Sequence, residues 1–377
     1  MTRFSHAATL GFAILGLAAC GSPAAPAPKQ AANFMSPNER LSRIVDRYWD
    51  DPGSPGVPLS PQFMADSLDL ERRYLDEILA VPRDRLGEDS KLTYDIFKRQ
   101  RELDIAGFTY PAELLPVNPF DAMPLQFARA AAGMERHPLA TAKAYENWLL
   151  AIDEYGRWTG QAISNMREGM RRGYTSPRIL MERTLPLLQS LGEDSSASVF
   201  YIPLRTMPET IDASERTRLT ASLGRAIKEK LLPAYRELHD FIQNDYLPRA
   251  RRSVGLSVLP LGASWYALLV KRATGDQLTP NEIHNIGTAE VERIGARMPP
   301  LPAGPPPAGT APLTTAYQDL KTQVLAAMPG EFSALPKADF EIREFVPMGA
   351  AAALLIYEPV IYHPAAPDGR THRARAR

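Results

Sequence analysis

The spacing of apolar residues along this chain predicts a protein built mainly from α-helices. In residues 214–246 large apolar side chains recur every three or four positions, which is the period of one helix face. We predict one long helix there, with Pro233 as the point where it could kink, because proline removes a backbone donor and crowds the preceding turn. Similar patterns predict further helices over 61–80, 90–105, 139–171, 177–191, 263–272 and 314–328.

Two helix starts are marked by the same four-residue device. Ser36-Pro37-Asn38-Glu39 and Thr279-Pro280-Asn281-Glu282 each combine a capping hydroxyl, a proline for the first helical position and a glutamate that completes a capping box. Apolar residues follow both at helical spacing, so we predict helices that begin at these two points. The second helix should carry its apolar stripe on Ile283, Ile286, Val291 and Ile294.

Strand-like sequence is sparse and lies near the C-terminus. Residues 338–346 alternate polar with apolar side chains, as a half-buried strand does. Seven prolines between Pro299 and Pro312 exclude a helix and predict an exposed linker. The predicted fold is therefore a large multi-helix body with a small β element near the C-terminus. The predicted divisions are a signal peptide (1–19), a flexible tether (20–35), the helical body (36–298), the linker (299–313), a helix with a short strand (314–369) and a disordered basic tail (370–377).

Charge and cysteine content narrow the class of protein. Lys plus Arg equals Asp plus Glu, at 43 each, so the chain has no overall basic field of the kind that gathers nucleic acid. Nucleic acid is therefore not an expected partner. The chain has one cysteine, Cys20, which excludes an internal disulfide, a thiolate metal cluster and a CxxC redox pair.

The N-terminus carries the features of an export signal. Arg3 supplies a positive start, and the apolar run that follows is too short for the roughly 20 residues of a spanning helix. Leu17-Ala18-Ala19-Cys20 resembles the lipobox at which a lipoprotein precursor is cut and lipidated. We therefore expect Cys20 to carry a lipid that holds the protein on a membrane. A plain secretory signal with a chance cysteine is the alternative.

The residue after Cys20 bears on the destination of the protein. Gly21 is not the aspartate that favours retention in the inner membrane, so in a Gram-negative host we expect the outer membrane, facing the periplasm. Pro- and Ala-rich sequence follows to about residue 32 and predicts a flexible tether.

The sequence has no recognisable catalytic motif. It lacks a GxxxxGK[ST] phosphate loop, a GxSxG nucleophile elbow and an HExxH zinc helix. His239 and His284 fall on predicted helices, where an ordinary surface or half-buried histidine is expected. The best polar and aromatic cluster contains Tyr357, Tyr362 and His363, which we take as weak ligand-site candidates; a loop packed on the core explains them equally well.

Paired carboxylates and one aromatic stripe have simple structural explanations. The acidic pairs lie in amphipathic helices, where a solvated face is the expected setting, so no catalytic role is assigned to them. The stripe is predicted to belong to the core. The acidic pairs are Glu102 with Asp104, Asp153 with Glu154 and Glu290 with Glu292, and the stripe is Tyr145, Trp148 and Trp158.

Four segments resemble one family of exported bacterial proteins. They are Tyr-Pro-Ala-Glu-Leu-Leu-Pro-Val-Asn-Pro (110–119), Gly-Met-Arg-Arg-Gly-Tyr-Thr-Ser-Pro-Arg (169–178), the helix with its Tyr-Leu-Pro end (231–248) and the stretch from Trp265 to Ile294. In order and spacing they are similar to the domain of unknown function 885 family, whose members are considered similar to zincin-type metallopeptidases. Weaker likeness extends to about residue 369.

The resemblance implies a catalytic site that this sequence does not contain. Longer members carry a His-Glu-x-x-Pro-Gly-His-His segment, in which histidines hold zinc and the glutamate activates water. No such segment is present here, and the sequence after Asp368-Gly369 resembles out-of-frame translation. We expect no cofactor in this chain, since zinc is implied only for longer relatives, and a peptide substrate is implied by resemblance alone.

Two hypotheses follow for the function. In the first, the chain is the N-terminal part of a peptidase-like lipoprotein, truncated before its metal site and so not catalytic by itself. In the second, it is a non-enzymatic lipoprotein whose helical body serves for binding or scaffolding.

Overall fold

The structure is a computed structural model. It describes residues 35–51, 53, 56–133, 139–275, 278–298 and 311–332, with side chains from residue 315 onward in the last range. The signal sequence with Cys20, the tether, most of the linker, the predicted strand at 338–346 and the basic tail lie outside these residues.

The described residues confirm the prediction of a mainly helical fold. They contain no strand, and the predicted β element falls outside them. The α-helices are α1 (Pro37–Asp50), α2 (Pro61–Leu79), α3 (Glu88–Gly107), α4 (Met123–Ala131), α5 (Ala142–Arg172), α6 (Arg178–Gly192), α7 (Ile202–Arg205), α8 (Ala213–Ala226), α9 (Leu232–Phe241), α10 (Gly262–Thr274), α11 (Pro280–Gly295) and α12 (Ala311–Glu331). Short 3-10 turns occur at Arg83–Arg85, Ala112–Leu114, Val199–Tyr201, Leu247–Arg249 and Leu256–Val258.

Helices α1, α2 and α3 pack together around their own apolar core. The predicted capping box starts α1, because the Ser36 hydroxyl accepts from the Glu39 N–H and the Glu39 carboxylate accepts from the Ser36 N–H. Aromatic rings fill the centre of the bundle: the ring of Tyr48 meets those of Tyr74 and Phe97 edge to face. This N-terminal bundle precedes the main core in the chain.

The main core surrounds the long helical segment that the apolar stripe predicts. Helix α9 packs against α5 and α6, and α8 packs against α5. Burying a large apolar side chain stabilises a fold by about 1.5–3 kcal/mol, and every predicted stripe position is no more than 1 % exposed. These are Leu219, Leu223, Ile227, Leu231, Tyr235, Leu238, Ile242 and Tyr246.

The long segment is helical throughout, but two stretches of it have the wider π pattern. Ile227–Leu231 and Ile242–Tyr246 are π-helical, and the residues that flank them keep right-handed helical backbone angles. Pro233 lies two residues after the first π stretch, so the backbone donor it lacks falls next to the place where the regular hydrogen-bond ladder is already interrupted. The prediction of one helix is confirmed, and the π stretches are an addition to it.

A buried charged network joins the N-terminal bundle to α10. Arg101 Nε lies 2.8 Å from a Glu71 carboxylate oxygen, near it but without hydrogen-bond alignment, and Arg101 Nη2 donates to Asp104 at 2.9 Å. Arg272 on α10 donates to the other oxygen of Asp104 at 2.8 Å. The Arg101 guanidinium lies 3.7 Å from the centre of the Tyr48 ring. The side chains of Glu71, Arg101 and Asp104 are therefore buried where the bundle meets α10.

Helices α11 and α12 leave apolar side chains uncovered by the described residues. The predicted capping box starts α11 at Thr279, but no residue of this helix is buried. Along its predicted apolar stripe Ile283 is half-buried, while Ile286, Val291 and Ile294 are exposed, Val291 by 70 %. Helix α12 begins at Ala311, three residues before the predicted start. None of the described helices has the length and apolarity needed to cross a membrane.

Candidate functional site

The loop between α5 and α6 is fixed by hydrogen bonds to a segment about 70 residues further along the chain. Helix α5 is capped after Arg172 by Gly173, which has a positive φ of 79°. In the loop that follows, the N–H of Ser176 donates to the Tyr246 hydroxyl at 2.7 Å. The Arg178 N–H donates to the Arg251 carbonyl at 2.7 Å, and Arg251 Nε donates back to the Thr175 carbonyl at the same distance. The loop at 173–178 and the segment at 246–251 thus form one unit.

A third segment, at 110–114, packs against the same loop. The Asn165 amide on α5 donates to the carbonyl of Glu113 at 3.1 Å and to that of Leu59 at 2.9 Å. The ring of Tyr110 stacks on Trp265 of α10, with centroids 5.5 Å apart and planes 8° from parallel. An apolar cluster of Leu114, Tyr174, Leu259 and Trp265 fills the space between these segments.

A glycine permits this close approach. A Cβ atom at Gly169 would lie 2.6 Å from the Tyr174 carbonyl oxygen and 3.1 Å from the Leu114 carbonyl oxygen. Both are backbone atoms, so a side chain at this position would push the loop and the third segment away from α5. We call the meeting of 110–114, 173–178, 246–251 and Trp265 the junction.

Burial changes the acidity of several side chains at the junction, among them Glu113 and Arg251. Burial raises the pKa of the Glu113 carboxyl, and the charge of Arg172 opposes this change only in part. Burial also lowers the pKa of the Arg251 guanidinium. Besides Thr175, that guanidinium donates to the carbonyls of Ser253 and Gly255 at 2.7 and 2.8 Å. Arg251 therefore has a structural role in holding the loop.

Arginine side chains gather around the junction and line a cleft beside it. The cleft has a volume of about 400 Å³ and lies between the last turns of α5 and the helical turns that follow α9. We call it the arginine cleft. It is lined by Arg167, Met170, Arg171, Asp245 and Arg249. The arginines in and near the junction are Arg167, Arg171, Arg172, Arg178, Arg249, Arg251 and Arg252.

Tyr357, Tyr362 and His363 lie outside the described residues, as does the predicted lipidation site, Cys20. Of the two histidines on predicted helices, His239 is half-buried beside Asp240 and His284 is exposed. Neither belongs to the junction.

The expectation of a solvated face is wrong for one member of the carboxylate pairs. Asp104 is buried because Arg101 and Arg272 compensate its charge, whereas its neighbour Glu102 is exposed. The predicted aromatic stripe is confirmed as core. Tyr145 and Trp158 are buried and Trp148 packs against the main core.

In the residues that the structure describes, no three His, Cys, Asp or Glu side chains are arranged to hold a metal ion. The junction itself was not predicted from the sequence. Its arginines were visible as Arg-Arg-Gly-Tyr-Thr-Ser-Pro-Arg (171–178) and Pro-Arg-Ala-Arg-Arg (248–252). All four segments that form it lie at least partly within the passages quoted for the family resemblance.

Comparisons with known proteins agree with the resemblance in the sequence. The model of one family, described as bacterial protein of unknown function (DUF885), matches residues 57–304. The fold is similar to the crystal structure of the putative lipoprotein from Colwellia psychrerythraea, with a TM-score of 0.60 and 15 % sequence identity. That alignment covers 83 % of this chain and 63 % of the other, so the chain spans less than two thirds of the length of its structural relative. No curated protein matches the chain. Because the family model matches more than half of the sequence, the chain belongs to the DUF885 family of bacterial proteins.

Proposed function

We propose that this chain is a lipid-anchored protein of the bacterial cell envelope whose helical body is a binding module and does not hydrolyse peptides by itself. One observation carries the binding role. Segments that are far apart in sequence meet at the junction, and beside it arginine side chains line an open cleft of about 400 Å³. Guanidinium groups gathered in one place are able to bind an anionic ligand through charge-assisted hydrogen bonds.

The lipid anchor rests on the sequence around Cys20. Leu17-Ala18-Ala19-Cys20 has the form of a lipobox, and the structural relative is itself described as a putative lipoprotein. Gly21 supports an outer-membrane destination on the periplasmic side. A tether of about 15 residues would then separate the lipid from α1.

The resemblance to zincin-type metallopeptidases bears on which ligand we propose for this chain. Zincin-type hydrolysis needs histidine ligands and a glutamate that activates a metal-bound water. The 377 residues contain no His-Glu-x-x-His or His-Glu-x-x-Pro-Gly-His-His segment. A peptide ligand fits both hypotheses from the sequence, since a module of a peptidase and a non-enzymatic binding protein would each hold one.

The anchor is tested by labelling growing cells with a clickable palmitate analogue. We expect the label on the full chain and on a Ser22→Ala control, with both in the outer-membrane fraction. Cys20→Ala should lose the label and leave that fraction. Label that is retained after Cys20→Ala would contradict the anchor.

The binding role is tested by equilibrium dialysis of the full chain against a defined library of short peptides. We expect the chain to retain a subset above the level found with an unrelated protein. Retention of none would contradict the binding role.

A further inference from the structure

The arginine cleft is formed by two pairs of side chains that face each other. Arg167 and Arg171 are four residues apart on α5, so they lie on the same face of that helix. Asp245 and Arg249 are also four residues apart, on the helical turns after α9. The two pairs meet across the cleft, where Arg167 Nη2 lies 3.5 Å from an Asp245 carboxylate oxygen.

The three arginines differ in how much of their hydrogen-bonding capacity is used. Arg167 has the long contact with Asp245 and lies 5.0 Å from the ring centre of Phe241, which holds its guanidinium in place. Arg171 pairs with Glu168 one turn earlier. Arg249 is exposed and has neither a hydrogen bond nor an ion pair with the described residues. Its five N–H donors are open to a ligand.

The pairing of charges in and beside the cleft favours an anionic ligand. Asp245 faces Arg167, while Glu168 pairs with Arg171 and also lies 4.0 Å from Arg172. Arg249 is left without a carboxylate partner among the described residues. A carboxylate matches the planar fork of its guanidinium with two parallel hydrogen bonds. It brings one further negative charge next to Asp245, whereas a phosphate dianion brings two.

From this arrangement we infer that the arginine cleft binds a carboxylate group, with Arg249 as its main partner and Arg167 and Arg171 beside it. The inference rests on the proposed binding role and names the ligand chemistry for it. The carboxylate comes either from a small organic acid or from the C-terminus of a peptide. The volume of about 400 Å³ leaves room for the group that carries it, and Met170 gives that group an apolar contact.

A pair of peptides that differ only at the C-terminus tests the inference. The probes are one N-acetylated alanine-rich pentapeptide as the free acid and the same peptide as the C-terminal amide. Binding to the detergent-solubilised full chain is measured by calorimetry at low and at high salt. An ion pair with an exposed guanidinium changes affinity by up to about 5-fold. We expect the acid to bind about 2- to 5-fold more tightly than the amide, and the difference to shrink with salt.

Arginine variants assign the effect to the cleft. Arg249→Gln should remove the preference for the acid without changing the melting temperature, because Arg249 has no partner to lose within the described part of the chain. Arg40→Gln is the control, since Arg40 is an exposed arginine on α1, outside the cleft. It should leave the preference unchanged.

Competition with small anions separates the two sources of the carboxylate. Displacement of the peptide acid by millimolar acetate or succinate supports a small-acid site, and resistance to both supports recognition of the peptide terminus. Equal binding of acid and amide would overturn the carboxylate inference and leave the binding role in place. Displacement by inorganic phosphate alone, or a preference that survives Arg249→Gln, would also overturn it.

Discussion

The buried guanidinium of Arg101 provides a direct test of how the N-terminal bundle is held together. Its side chain is 3 % exposed, and those of its partners Glu71 and Asp104 are 3 % and 0 % exposed. Arg101→Met fills similar space but removes the positive charge beside the buried Glu71 carboxylate, which keeps its hydrogen bond from the Tyr48 hydroxyl. Asp104 keeps its contact with Arg272 at 2.8 Å. Loss of one partner from a buried ion pair costs about 3–5 kcal/mol.

We therefore expect Arg101→Met to lower the free energy of unfolding by about 3–5 kcal/mol, which is a large part of the roughly 5–15 kcal/mol that stabilises a typical domain. Urea unfolding followed by circular dichroism measures this change. If the dependence of the unfolding free energy on urea concentration is unchanged, both proteins undergo the same unfolding transition. Arg83→Met is the matched control. Arg83 pairs with Asp95 at 2.6 Å, but both side chains are about half exposed, so the change should be within error.

A double variant separates a buried charge from simple loss of packing. Combining Arg101→Met with Glu71→Gln removes the uncompensated negative charge as well. The double variant should therefore lose less stability than the sum of the two single variants. Equal losses for Arg101→Met and Arg83→Met, or a strictly additive double variant, would refute the reasoning.

Three further predictions concern the junction. Gly169→Ala should lower the melting temperature, because a Cβ atom 2.6 Å from the Tyr174 carbonyl oxygen costs about 1–3 kcal/mol and outweighs the gain in helix propensity of about 1 kcal/mol. Tyr246→Phe leaves the buried Ser176 N–H without its acceptor and should cost about 1–3 kcal/mol in urea unfolding; an unchanged midpoint would refute this. Burial raises the pKa of Glu113 above the usual 4.5, so its contribution to stability is present at acid pH and is lost as the pH rises through the raised value. In thermal melts, Glu113→Gln should therefore become more stable relative to the parent as the pH rises from about 4 to 7. A difference in melting temperature that stays constant across this range would contradict burial of the Glu113 carboxyl as the cause.

The helices that could be predicted from the sequence carry a regular apolar stripe, and some of them also have a capping start. Helix α1 has both, and it begins where its capping box places it. Helix α4 has neither, since Ala122 precedes it without a side-chain cap and its nine residues are too few for a clear period. The four-residue α7 is shorter still. Both owe their conformation to packing against neighbours that the local sequence does not identify.

The charged network was only partly accessible to sequence reasoning. Tyr94, Phe97, Arg101 and Asp104 follow one another at spacings of three and four, so Arg101 and Asp104 occupy the buried face of α3. This spacing could have predicted from the sequence that Arg101 and Asp104 are buried. The partner on α10, Arg272, is 168 residues from Asp104, and no local pattern indicates that the two meet.

The arginine cleft also could not be predicted from local sequence alone. The four-residue spacing of Arg167 and Arg171 places them on one helix face, but their approach to Asp245 depends on how α5 packs against the segment after α9. Sequence reasoning found most of the segments that form the junction, through their family resemblance, and the packing shows that they meet.

Our central proposal is that this chain does not hydrolyse peptides by itself. The most direct test incubates the purified full chain with excess zinc, removes free metal, and measures both bound zinc per chain and hydrolysis of a quenched fluorescent peptide with and without chelator. The account predicts bound zinc well below one ion per chain and no cleavage that the chelator abolishes. One zinc per chain together with chelator-sensitive cleavage would contradict it.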